Sequence, residues 1–169
     1  MTDASTIQAL VDRNQIIDVT IRYGWALDTR DWDLFRDCVT DVVLFSSPLS
    51  NGWITFTSDD MVLICSRIFP LFTATQHISA NHKITISGDE ATCISSLNAT
   101  HYVADKVGGT TQRQLGHYDY HLARVGDGWK IDRMTQVITF EDGNPAVFYD
   151  AYEQSGFAKI VEDIVARGN

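Results

Sequence analysis

"KITISGDEATCISSLNATHYVADKVGGTTQRQLGHYDYHLARVGDGWKIDRMTQVITF", residues 83–140, is the stretch that decides the fold. Residues with β-branched and aromatic side chains recur through it, and three short turn-forming breaks, "SGDE", "KVGG" and "VGDG", divide it. With the lead-in from residue 73, this predicts four strands, at roughly 73–87, 90–106, 111–125 and 129–140. Short turns between long strands imply an antiparallel meander.

N-terminal to the meander the apolar period changes. From Ser5 to about Thr29 the residues Ile16, Thr20, Tyr23 and Leu27 form one stripe at helical spacing, uninterrupted by proline. A short second helix is expected from Asp31, with Trp32, Phe35 and Val39 on one side. "DVVLFSS" reads as a strand, "SPLSNGW" as a loop or hairpin turn, and Ser58 to Phe69 as a helix closed by Pro70. Beyond the meander, residues 146–167 return to helical spacing with Gly156 as a break. Helices followed by a strongly curved antiparallel sheet give an α+β domain, a single unit over 1–169 with a core at about 5–142. A curved sheet closed by helices makes a cone, whose interior is the natural place for a ligand.

Composition narrows the classes of function. The apolar fraction of 44% suits a globular domain, while a formal net charge of −9 opposes a polyanionic partner, so no nucleic acid is expected. Cys38, Cys65 and Cys93 are far apart and odd in number, which suits reduced core thiols. The N-terminus lacks the charged and apolar regions of a signal sequence, and the longest apolar run, "MVLIC" at 61–65, is too short for a bilayer. A soluble cytoplasmic protein with no membrane partner is the expectation.

Few polar residues fit an interior site. Asp28 continues the apolar side of the first helix, eleven positions after Ile17. It either faces a partner inside the domain or caps the next turn through the backbone of Arg30 or Asp31. Tyr23, five residues earlier, lies about 140° round an ideal helix from Asp28. His77 and His82 differ by an odd number, so an unbroken strand turns them to opposite faces. The apolar "FPLFTAT" before His77 places it inside, and Lys83 places His82 at the surface. An inward histidine against a buried aspartate is a general-base arrangement, in which the carboxylate fixes the tautomer and raises the basicity; a hydrogen-bonded core histidine is the alternative. His101 on the next strand could join the same cavity. "GHYDYHLARV" sets His117, Asp119 and His121 on one face and an aromatic, apolar set on the other; the aromatic face suits the interior, so no metal site is expected.

Three blocks carry a family resemblance: "RYGWALDTRDWDLFRDCVTDVV", "TQHISANHKITISGDEATC" and "GHYDYHLARVGDGWKIDRMT". In this order the chain resembles the SnoaL-like branch of the NTF2-like superfamily of cone-shaped α+β barrels, over about residues 5–142. Within that branch it looks like scytalone dehydratase, the bile-acid 7α-dehydratase and the hexachlorocyclohexane dehydrochlorinase, cofactor-free eliminating enzymes with an Asp/His dyad. The resemblance carries the aspartate onto Asp28 in "LDTRDW", the histidine onto His77 in "ATQH", the tyrosine five residues before the aspartate onto Tyr23, and a second histidine onto His101 in "LNATH". Leu27 stands where scytalone dehydratase has a tyrosine, and Gly116 and Tyr118 stand where it has polar residues, which argues against scytalone as substrate.

The implied activity is a cofactor-independent dehydratase. His77, Asp28 and Tyr23 are expected to be catalytic, and His101, Tyr118, Trp25 and Phe45 to contact a small hydrophobic substrate. Isomerisation or cyclisation of a polyketide- or steroid-like compound would use the same dyad. A non-catalytic ligand-binding module, like the small subunit of ring-hydroxylating dioxygenases, stays open beside them, and the resemblance implies a dimer or trimer.

Overall fold

The computed structural model describes residues 4–50 and 52–167. The helix α1 (Ala4–Thr29) is followed by α2 (Trp32–Cys38), β1 (Val39–Ser46), β2 (Ile54–Thr57) and α3 (Ser58–Ile68). A single 3₁₀ turn at Phe69–Leu71 leads to the long strands β3 (Ala74–Ser87), β4 (Glu90–Tyr102), β5 (Thr111–Val125) and β6 (Gly128–Gly143), and the tail forms α4 (Ala146–Ser155) and α5 (Phe157–Arg167). The α+β architecture is the one the sequence predicts, with helices at both ends of the chain and the meander between them.

The ends of the helices have local causes. Asp31 caps α2 by accepting the Leu34 N–H at 2.9 Å. Thr57 and Asp60 form a reciprocal capping box at the start of α3. Gly156, in the left-handed conformation at φ 73°, separates α4 from α5. Among the described residues no helix is long and apolar enough to cross a membrane.

The six strands form one sheet in the order β2-β1-β6-β5-β4-β3. The meander β3 to β6 is antiparallel throughout, but β1 runs parallel to β6, so the sheet is mixed and not wholly antiparallel. The physical reason is the chain path: β1 is followed by its own antiparallel partner β2 and by α3, which returns the chain to start the meander at the far edge. The last meander strand then closes onto β1, not onto β2.

One sheet face is covered. α1 turns Ile16, Val19, Tyr23, Ala26 and Leu27 inward against the sheet, where they meet Tyr118, Tyr120, Leu122, Trp129, Ile131 and Met134. The even-numbered residues of β5 from Gln112 to Leu122, apart from Gly116, are all buried, as strand alternation requires. α3, α4 and the 3₁₀ turn cover the wide end of this face through Met61, Ile64, Ile68, Phe69, Val147 and Phe148.

Candidate active site

Asp28 and His77 meet because α1 ends where β3 begins. α1 stops at Thr29 with Arg30 in the left-handed region at φ 59°, a conformation that costs a non-glycine residue about 1 kcal/mol. The Arg30 side chain holds that end in place: its guanidinium donates to the carbonyl of Asp28 and to those of Phe69 at 3.2 Å and Phe72 at 3.3 Å. The carboxylate of Asp28 thus points away from the helix into β3. It accepts the Thr75 hydroxyl at 2.9 Å, the His77 backbone N–H at 2.7 Å and the His77 ring at Nδ1, also at 2.7 Å. The turn-capping alternative falls to Asp31 instead.

These bonds decide the charge of the pair. Burial alone would raise the Asp28 pKa, but the hydrogen bonds and charge of His77 and the Thr75 hydroxyl outweigh it and hold the carboxyl below its ordinary value. An ionised Asp28 accepts the Nδ1–H of His77, which leaves Nε2 as the basic nitrogen. His77 itself lines a cavity.

The cavity sits in the covered face between α1, α3, α4 and the sheet, and about 860 Å³ of space inside it and at its mouth is not filled by side chains. Its wall is mostly apolar: Leu27, Phe45, Phe56, Ile64, Ile68, Phe69, Phe72 and Phe148 surround a small polar set. Tyr23, Tyr118 and Tyr152 all line it, and burial raises the pKa of each phenol, so all three stay protonated and can donate. Tyr23 lies edge-on to Tyr118 at 6.1 Å between ring centres. Although Tyr23 and Asp28 lie about 140° apart round the helix, Tyr23 lines the same cavity as His77, the ring that Asp28 holds. Cys65 also lines the cavity, and burial pushes its thiol up to about 12, far from the thiolate a nucleophile needs.

His101 is 2% exposed and stands edge-on to His77 at 5.7 Å, between Phe72 and Phe148, each at 4.8 Å. Its pKa is pushed down to about 3, first by burial and then by His77 beside it. At neutral pH it is an uncharged imidazole.

Phe45 and Tyr118 line the cavity with His101, but Trp25 does not. It is 62% exposed on the outer side of α1. Two residues beyond the inward Tyr23, it is turned about 200° round the helix. The surface placement of His82 is also corrected. β3 carries a bulge between Ala80 and Lys83, with Asn81 at φ 54°, and the extra residue reverses strand parity. Thr75, His77 and Ser79 face α1 before it, and His82, Ile84 and Ile86 face the same way after it. His82 Nε2 accordingly sits 2.8 Å from the Thr20 hydroxyl and 3.2 Å from that of Ser79. His117, Asp119 and His121 lie on the other sheet face, where His121 pairs with Asp132 at 2.6 Å.

Residues that sequence reasoning did not single out complete the wall. Gln114 of β5 lines the cavity, Gln112 stands behind it with its amide oxygen on His101, and Phe148, Tyr152 and Phe157 come from the C-terminal helices. The inward parity of Gln112 and Gln114, which they share with Tyr118, was the available signal.

Comparison with known proteins places this geometry in context. A model of the SnoaL-like domain matches residues 8–135. The terrestric acid biosynthesis cluster protein E of Penicillium crustosum is 30% identical over 152 residues, covering 85% of this chain and 94% of that protein. A solved structure from Kribbella flavida superposes with a TM-score of 0.75 at 26% identity, over 79% of this chain and 95% of its own. A protein of Novosphingobium aromaticivorans assigned as a scytalone dehydratase superposes with a TM-score of 0.72 at 22% identity, over 82% of this chain and 91% of its own.

Proposed function

The chain belongs to the SnoaL-like domain family, and from that membership we propose that it is a cofactor-independent lyase that removes water from a small, largely apolar, hydroxylated cyclic carbonyl compound. The observation that carries this reading is the 2.7 Å hydrogen bond between Asp28 and His77 Nδ1, at the wall of an open apolar cavity.

The chemistry follows from the side chains. His77 Nε2 takes the acidic proton α to the carbonyl, and Asp28 stabilises the imidazolium that forms. The negative charge that develops on the carbonyl oxygen is met by a phenol, Tyr23 or its neighbour Tyr118, both held protonated by burial. Collapse of the enolate expels the hydroxyl from the neighbouring carbon. The proton taken up by His77 passes to it, so water leaves and the neutral base is restored. Exclusion of bulk water by the aromatic wall strengthens each of these interactions. The relative from a biosynthesis cluster, matched over nearly its whole length, supports a biosynthetic small molecule as substrate.

Isomerisation and cyclisation start with the same proton abstraction, and product analysis separates them from dehydration. The test is a panel of cyclic hydroxy-ketones assayed for an ultraviolet-absorbing conjugated product, with mass analysis for the loss of water. The expected result is turnover by the wild type and a loss of about two to four orders of magnitude in His77→Gln. Unchanged turnover in that variant would overturn the assignment of the base.

A further inference from the structure

The amides near His101 have a fixed direction, and the cause is a carboxylate outside the cavity. Glu141 Oε1 takes the side-chain nitrogens of both Gln112, at 3.0 Å, and Gln114, at 2.9 Å. An ionised carboxylate only accepts, so both amides must turn their NH₂ groups toward it. The Gln112 oxygen is thereby aimed the other way, at His101 Nδ1, 3.0 Å distant. An amide oxygen also only accepts, so Nδ1 must carry the proton. Nε2 is then the lone-pair nitrogen, on a ring that lines the cavity and whose hydrogen bond among the described residues is made at Nδ1. The second oxygen of Glu141 accepts the Tyr149 hydroxyl at 3.1 Å, which ties the carboxylate to α4, the helix that supplies Phe148 against the His101 ring.

We infer that Glu141, acting through Gln112, is a positioning residue that locks His101 as the Nδ1–H tautomer, so that the imidazole meets the bound molecule as a hydrogen-bond acceptor and selects one that places a hydroxyl there. The neutrality of His101 agrees with this, since an imidazolium would present a donor at both nitrogens. The consequence for chemistry is a division of labour between two neighbouring histidines. His77 accepts a proton outright, whereas His101 holds a hydroxyl that is retained, and donors to the carbonyl must come from the tyrosines. The substrate class is narrowed accordingly to compounds with at least two oxygen functions besides the leaving group: a carbonyl toward Tyr23 or Tyr118, and a hydroxyl that can donate toward His101.

The selection of a hydroxyl rests on the cavity being the substrate site, but the tautomer lock does not. Nitrogen-15 NMR of the imidazoles tests the lock in the resting protein. Wild-type His101 should show a pyrrole-type Nδ1 and a pyridine-type Nε2 at neutral pH. Glu141→Leu should populate the other tautomer, and Glu141→Gln, which keeps the shape of the side chain, should do so in part. A pyrrole-type Nε2 in the wild type, or an unchanged tautomer in both variants, would overturn the lock. Binding of a hydroxylated indanone and of its methyl ether tests the selection. The hydroxyl compound should bind about tenfold more tightly to the wild type, and Glu141→Leu should erase most of that margin. Equal binding of the two by the wild type would overturn the selection. A wild-type tautomer signal as stated, together with unchanged turnover in His77→Gln, would leave the lock standing and remove the proposed reaction.

Discussion

Gly24 of α1 lies so close to His77 of β3 that a β-carbon built on the glycine would stand 3.1 Å from the His77 Cβ and 3.4 Å from its carbonyl oxygen. A glycine inside a helix costs about 1 kcal/mol relative to alanine, and here the cost has a reason. At this separation the end of α1 brings Asp28 to both the ring and the backbone N–H of His77.

Gly24→Ala should therefore separate stability from activity. The gain in helix propensity offsets part of the steric conflict, so the melting temperature should move by only a few degrees, while displacement of His77 should lower kcat by about tenfold or more. Thermal denaturation and turnover measured on the same preparation check this. A variant with full activity would show that the close approach does not set the geometry of the pair.

Asp28 and His77 should act as a unit. Each of Asp28→Asn and His77→Gln is expected to reduce turnover by about two to four orders of magnitude, and the double variant should be little worse than His77→Gln alone. Multiplicative losses in the double-variant cycle would mean that the aspartate works independently of the imidazole.

The buried histidine predicts a pH dependence of stability. His101 stays neutral in the fold down to about 3, whereas in the unfolded chain it titrates at its ordinary 6.5. Below 6.5 only the unfolded state takes up the proton, so this contribution to stability is complete above 6.5 and declines as the pH falls toward 3. Asp28 behaves likewise at lower pH: its depressed pKa stabilises the fold above the ordinary value of 3.8, and that stabilisation is lost as the pH falls through the folded-state pKa. Urea unfolding at stepped pH should show a slope between pH 3 and 6.5 that His101→Gln reduces by up to about 1.4 kcal/mol per pH unit. An identical slope in the variant would contradict the depressed pKa.

The bulge in β3 offers a mutational handle remote from the cavity. Asn81 occupies the left-handed region at φ 54°, where a β-branched side chain is strained. Asn81→Val should destabilise the protein by about 1 to 2 kcal/mol, and Asn81→Gly should be nearly neutral, as measured by chemical denaturation. Equal effects of the two substitutions would remove the conformational explanation.

The bulge also marks where the sequence ceases to be readable. Period and turn signals identify the long helices and the meander strands, and the apolar stripe of α1 points Tyr23 and Leu27 inward, because these depend on side chains near one another along the chain. The parity rule separates His77 from His82 only in a regular strand, and one extra residue at Ala80–Asn81 reverses it. The parallel pairing of β1 with β6 joins segments about ninety residues apart and leaves no local trace. Trp25 differs from these: helical geometry already placed it opposite Tyr23, and its apolar character outweighed its position. The amide and carboxylate groups behind His101 come from two strands whose register only the assembled sheet defines.

The cavity is built from two stretches of chain with different standing. Residues 8–135, matched by the family, supply Asp28, His77, Tyr23, His101 and Tyr118, whereas Gln136, Phe148, Tyr152 and Phe157 lie beyond that match. The Asp28–His77 pair and the wall formed by the C-terminal helices thus come from different stretches of the chain. Under the proposed reaction, substitutions in α4 and α5 would reshape the chamber that receives a guest molecule while leaving Asp28 and His77 in place.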